Sequence, residues 1–240
     1  MRRKAPSKEY WDARAEENAL FFVDTRIDYY DPDEQQFWDT AAATLNSVLE
    51  GVGAEIRPEE TVLDIGCGVG RLTRVIAERA KWAHGIDISP RMLALAREYN
   101  RHVENVTWHE GDGVSLAGID SESMDACVSH VVFQHIPDPA VTLGYVREIG
   151  RVLRPGGWAV FQISNDKRVH DPGLRSRVAL RTRLKIALGR QPRGVTSRNW
   201  LGSSIDLPDL RRAVDDGGMD LTALVGEGTQ FCYARTTKRS

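Results

Sequence analysis

Cysteine is scarce in this chain: Cys67, Cys127 and Cys232 are the only three in 240 residues, and no two form a CxxC pair. Neither a disulfide framework nor a zinc site is indicated, so no metal is expected, and reduced thiols in a cytoplasmic protein are the simplest reading. Long apolar runs are also missing; none approaches the roughly 20 residues of a membrane helix. The start, MRRKAPSKEYWDARAEE, is basic but leads into charged residues rather than an apolar core, so it does not read as a secretory signal. Charge of one sign is lacking too. With 32 Lys and Arg against 34 Asp and Glu, the formal net charge is −2, which gives no support for wholesale nucleic-acid binding. No internal repeat or low-complexity tract is present. The length suits one large α/β domain.

What is present alternates. Ser7 is placed to cap a helix through KEYWDARAEENALFF, and EQQFWDTAAATLNSVLEGVG reads as a second helix stopped by Gly51 and Gly53. From Thr61 onward, short apolar strands (TVLDIG, WAHGIDIS, VTWHEGDG, MDACVSHVVFQHI, WAVFQIS) alternate with helix patterns. Ser89 and Pro90 mark one helix start, and Pro155-Gly156-Gly157 mark another helix end. The pattern predicts a mainly parallel sheet with helices on both faces. LTALVGEGTQFCYARTT reads as a closing antiparallel hairpin. Between them, residues 166–199 carry ten Lys and Arg against Asp166 and Asp171. That basic segment, with a helix candidate at LRSRVALRTRLKIAL, reads as a solvated lid, as a reader of an anionic acceptor, or as a contact for RNA or an anionic surface.

The informative stretch is VLDIGCGVGRLT. Gly66, Gly68 and Gly70 let the backbone turn tightly and let a ligand approach. The spacing is D-x-G-x-G-x-G, not the dinucleotide pattern GxGxxG, and position 71 is Arg. An anionic pyrophosphate would be repelled by Asp64; a ligand with an ammonium and no phosphate suits it, and S-adenosylmethionine is such a ligand. Asp87, ending the second strand, can accept both hydroxyl protons of a ribose. Asp112 is placed to accept from an exocyclic amine. Gly113 leaves room for a flat ring, and Ile88 and Met92 sandwich it.

VLDIGCGVGRLT, GIDISPRMLALARE, EGDG, MDACVSHVVFQHIPDP and EIGRVLRPGGWAVFQI together resemble the ordered motifs of Rossmann-like, class I S-adenosylmethionine-dependent methyltransferases. The resemblance covers about residues 55–165, and the cap-like stretch 1–50 is similar to that of small-molecule members. It implies a seven-stranded sheet with the last strand antiparallel. It also implies a cap over residues 1–54 and a catalytic domain over 55–240 with a basic lid at about 166–200. The Gly66–Gly70 turn, Cys67 included, then contacts the methionine part, Asp87 the ribose, and Asp112 with Gly113 the adenine. His130 lies at the border of cofactor and acceptor.

His130 and His135 are the candidate proton acceptors. Tyr10, Trp11, Tyr29 and Tyr30 are candidates for an acceptor pocket. The expected reaction is methyl transfer to a small molecule, with oxygen favoured and nitrogen next, by a monomer or homodimer that inserts in no membrane. A cofactor-holding subunit without chemistry, an RNA methyltransferase and a dinucleotide oxidoreductase remain as alternatives.

Overall fold

A computed structural model of the chain describes residues 6–170, 182, 186, 192 and 194–240. Its strands are β1 (Thr61–Ile65), β2 (Trp82–Asp87), β3 (Val106–Glu110), β4 (Met124–Ser129), β5 (Leu153–Ile163), β6 (Met219–Val225) and β7 (Cys232–Lys238). They form one sheet in the order β3-β2-β1-β4-β5-β7-β6. The first five are parallel, and β7 runs antiparallel to both β5 and β6. This is the expected Rossmann-like sheet with its last strand reversed. Strand order reverses between β1 and β4, which opens a crevice at their carboxyl ends.

The helices are α1 (Pro6–Val23), α2 (Glu34–Asp39), α3 (Ala41–Gly51), α4 (Arg71–Arg79), α5 (Pro90–Tyr99), α6 (Pro139–Val152), α7 (Arg198–Leu201) and α8 (Leu207–Asp216). Alternation along β1 divides the apolar side chains between two layers. Leu63 and Ile65 enter a core with Val146 and Ile149 of α6 and Leu210 of α8. Val62 enters a second core with Leu45 of α3 and Ile76 of α4. A third cluster joins Ala15, Ala19 and Leu20 of α1 to Met92 of α5. The Ser89 side chain accepts from the Met92 amide ahead of Pro90, and Asp138 accepts from the Ala140 amide ahead of Pro139, so both helices start with a side-chain cap.

Several local expectations change. Ser7 lies inside α1 rather than capping it, and its hydroxyl donates to the Asn199 side chain. α1 breaks at Asn18 (φ −167, ψ 86), whose amide holds the Tyr29 carbonyl. The second helix divides at Thr40, which bonds back to the Gln36 carbonyl. The expected cap boundary at residue 54 falls after α3, a helix that shares its core with the sheet. α6 ends at Val152, and RPGG belongs to β5, so those residues do not stop the helix. β4 stops at Ser129 because the chain turns at Val131 (φ +57) into a single 3-10 turn at Phe133–His135. No helix among the described residues is long and apolar enough to cross a membrane. Apart from Thr182 and Ile186, the basic helix candidate at 174–188 lies outside the described residues, as do most cations of that segment.

Candidate active site

A cavity occupies the switch point, lined by residues that follow β1, β2, β3 and β4 and by α1. Its floor is the glycine turn. Gly66, Gly68 and Gly70 adopt φ of 75°, 54° and 80°. A Cβ on Gly66 would drive into the Val132 side chain, and one on Gly68 would lie 2.7 Å from Val23. Beneath Gly70 the ring of Trp108 fills the space, 2.5 Å from where a Cβ would sit. Both the backbone angle and the close approach therefore call for glycine.

Asp64 is the next-to-last residue of β1 and is buried. One carboxylate oxygen accepts from the Thr73 hydroxyl at 2.6 Å; the other has no partner among the described residues and is open to the cavity. Burial, with the nearby Asp87 charge adding to it and the Thr73 bond opposing, raises the Asp64 pKa to about 7. Asp87 accepts from the Gly68 amide at 2.9 Å and the Ser89 amide at 2.8 Å. Burial still raises its pKa above the ordinary carboxylate value.

Ile86, Ile88, Met92, Gly111 and Gly113 line the next stretch of wall, with Tyr145 of α6. Tyr145 stacks on Phe133 at 5.5 Å and was not singled out in the sequence, because nothing local distinguishes it from core. Asp112 departs from expectation. It does not line the cavity; its carboxylate accepts from the Val114 amide, the Ser115 amide and the Ser115 hydroxyl. An Asp at a turn closes the loop on itself. Those bonds outweigh burial and lower its pKa.

The chain after β4 brings His130, Val131, Val132 and His135 to the cavity. A valine at positive φ is strained. His130 Nδ1 lies 2.9 Å from the Tyr233 hydroxyl of β7. Burial, with Arg26 and Arg71 adding, pushes its pKa down to about 4. His135 Nδ1 lies 2.6 Å from the Trp200 carbonyl, so that nitrogen carries the proton. Its Nε2 faces the Gln134 amide nitrogen at 3.2 Å, and burial depresses its pKa to about 4.

Of the expected acceptor residues, only Trp11 lines the cavity, edge-on to His135 at 5.6 Å. Tyr10 donates to the Gly194 carbonyl, Tyr29 donates to Glu17, and Tyr30 is exposed. Phe22 and Val23 of α1 take the wall instead. Arg71 also lines the cavity. It is buried, with Nε donating to the Phe37 carbonyl at 2.7 Å and Nη2 to Thr40 at 2.8 Å, and it pairs with Asp24 at 3.2 Å.

Residues 63–161 match the family described as methyltransferase domain. The demethylmenaquinone methyltransferase of Tropheryma whipplei (strain Twist) is 34% identical over 136 residues, 56% of this chain and 52% of that protein. The ubiquinone biosynthesis O-methyltransferase of Methylococcus capsulatus is 29% identical over 167 residues, 69% of this chain and 65% of the relative. The chain thus spans about half of the first relative and just under two thirds of the second. Phosphoethanolamine N-methyltransferase 1 of Haemonchus contortus, solved with phosphoethanolamine and S-adenosylhomocysteine, superposes with a TM-score of 0.65 at 18% identity. That match covers 97% of this chain and 48% of the other, and it is a likeness of fold. Residues 63–161 thus match a methyltransferase domain, and the sheet around them has the fold of solved methyltransferases.

Proposed function

We propose that this chain transfers a methyl group from S-adenosylmethionine to a hydroxyl of a small, flat acceptor. One observation carries the reading: a single cavity has two carboxylates, the buried Asp64 and the half-buried Asp87, along one wall and a neutral histidine, His130, on another. The open oxygen of Asp64 fits an ammonium, and the half-buried Asp87 fits ribose hydroxyls. The apolar slot of Ile86, Ile88 and Met92 fits a flat ring. A pyrophosphate would instead face the Asp64 carboxylate across the turn.

When bound, the cofactor supplies an electrophilic methyl group. The protein supplies position. Holding two reactants aligned is worth roughly 7–11 kcal/mol of the barrier. Trp11, Phe22 and Val23 of α1 close the cavity as a cap and present apolar surface to a flat acceptor. His130 is neutral at pH 7, and in the tautomer whose Nδ1–H donates to the Tyr233 hydroxyl its Nε2 takes the acceptor's proton. A positioned base of this kind contributes about 10²–10⁴-fold. Both nitrogens of His135 are occupied, by Trp200 and Gln134, so we assign it the shaping of the wall.

Relatives named for demethylmenaquinone and for ubiquinone biosynthesis make hydroxylated aromatic rings the acceptor class to test first. Incubation with methyl-tritiated cofactor and a panel of phenols, catechols and hydroquinones should place label on oxygen and release S-adenosylhomocysteine. Binding of S-adenosylhomocysteine with no labelled product from the panel or a metabolite extract would identify a cofactor-holding subunit. Binding of NADH and not of S-adenosylhomocysteine would overturn the reading.

A further inference from the structure

Among the described residues, two that are not glycine take a positive φ: Glu122 (φ 52°) and Val131 (φ 57°). Glu122 is exposed in a turn, and its amide donates to the Arg151 carbonyl. Val131 is different in kind. Branching at Cβ makes the left-handed region costly for valine, whereas glycine enters it freely. Strain of this sort persists where something else is gained by it.

The fold does not supply the gain. Each neighbour of Val131 has its own partner. His130 lies against Tyr233, with Nδ1 at 2.9 Å from the hydroxyl. Val132 closes on the bare Cα of Gly66, and its carbonyl accepts from the His135 amide at 2.9 Å. Phe133 stacks on Tyr145 and packs on Phe161. These contacts pin the turn on both sides, and a glycine at 131 would follow them without strain. Among the described residues, Val131 joins none of the three apolar cores, nor the partly buried side chains that pack on them. It is partly exposed, and it lines the cavity. A strained valine with no core to fill is explained by what enters that cavity.

Its place says which ligand. The residues that fit the cofactor, Asp64, Asp87, Ile88, Met92 and Gly113, lie in or after β1, β2 and β3. Val131 follows β4, which flanks β1 on the side away from β2, and it comes directly after His130. We propose that Val131 is a specificity-determining residue for the acceptor: its two methyl groups form an apolar stop beside His130 and limit the width of the ring system that can lie there. This rests on the acceptor reading above and adds a size rule to it, single rings before fused ones. A branched side chain is stiff about χ1, so the stop is rigid.

Titration calorimetry on the chain saturated with S-adenosylhomocysteine tests the proposal with two probes, catechol and the fused 2,3-dihydroxynaphthalene. Val131→Gly should raise the ratio of naphthalenediol to catechol affinity by about 10-fold or more, the scale of a small steric change in an apolar pocket. Val131→Thr keeps the branched shape and should stay near the wild-type ratio. A second measurement needs no acceptor: Val131→Gly should have a higher urea midpoint than Val131→Ala, because only glycine relieves the backbone. An equal or lower midpoint overturns the strained turn on which the proposal stands. An unchanged ratio in Val131→Gly overturns the size rule and leaves the acceptor reading intact, and a loss of S-adenosylhomocysteine affinity in its place assigns the side chain to the cofactor. A wild-type chain that binds S-adenosylhomocysteine and neither diol overturns the acceptor reading, and this assignment with it.

Discussion

Thr73 donates its hydroxyl to Asp64 at 2.6 Å, from the first turn of α4 back to the end of β1, and thereby leaves one carboxylate oxygen for the cavity. Strand, turn and helix are thus tied by one side-chain bond. With a pKa of about 7, Asp64 is partly protonated near neutrality. An ammonium ligand favours the charged form. Binding of S-adenosylhomocysteine near pH 7 should therefore release a fraction of a proton, read from calorimetry in buffers of different ionisation heat. Asp64→Asn should abolish the release. Identical heats in all buffers for the wild-type protein would refute it.

Asp87 is asked for two things at once, since its oxygens already hold the Gly68 and Ser89 amides. Asp87→Ala should weaken S-adenosylhomocysteine by roughly 1–3 kcal/mol, the range for hydrogen bonds involving a charged group. It should also lower Tm, because two buried amides lose their acceptor. Equilibrium binding below the melting range separates the two effects; unchanged affinity would move the ribose elsewhere.

Gly66→Ala combines a disfavoured φ of 75° with a collision against Val132. A loss of about 1–3 kcal/mol in stability is expected from overpacking and strain. Adding Val132→Ala should relieve the collision and leave the backbone cost, so the double variant should be more stable than Gly66→Ala alone. Chemical denaturation of the four proteins in a double-mutant cycle measures this coupling.

Much of this corner is legible along the chain, because it is made of local rules. Three glycines at positive φ, an apolar strand before them and a Ser-Pro helix start after β2 each announce themselves within a few residues. Other parts of the wall are set by distant chain segments. Tyr233 reaches His130 from the far end of the sequence, Tyr145 arrives from α6, and Val132 meets Gly66 across the crevice. The VVF run after β4 looks like more strand, since β-branched and aromatic residues favour it. It turns instead, and tertiary packing of Phe133 against Phe161 and Tyr145 overrides the propensity. Asp112 shows the opposite case: a local Asx turn holds a side chain that its position after β3 assigns to a ligand.

The acid limb of the pH–rate profile should report His130. Its folded pKa of about 4 keeps the imidazole unprotonated well below the ordinary histidine value. Single-turnover rates should therefore stay level as pH falls from 7 to 5 and decline only toward 4. His130→Ala should lower the rate by about 10²–10⁴-fold. His135→Asn should affect acceptor KM more than the rate. A midpoint near 6.5 in the wild type would refute the depressed pKa, and a His130→Ala rate equal to that of the wild type would exclude His130 as the proton acceptor.

A second histidine pair sets acid stability away from the cavity. His84 Nδ1 and His109 Nε2 lie 2.8 Å apart on adjacent strands, with rings stacked at 15°. Burial, helped by the neighbouring His109 for His84, lowers both, His84 to about 4. Unfolding frees them to bind protons near pH 6.5, so their contribution is whole above that value and is lost as pH falls toward 4. The urea midpoint should drop more between pH 7 and pH 5 in the wild type than in His84→Asn/His109→Asn. Equal drops would place the acid sensitivity elsewhere.

The guanidinium of Arg71 fastens four positions of the amino-terminal fifty residues to the first turn after the glycines. Chimaeras that graft another enzyme's acceptor-selecting front end onto this sheet would have to import matching oxygens for that side chain. Otherwise they would strand a cation under the new roof, and the hybrid would fail at the junction before its selectivity could be assayed.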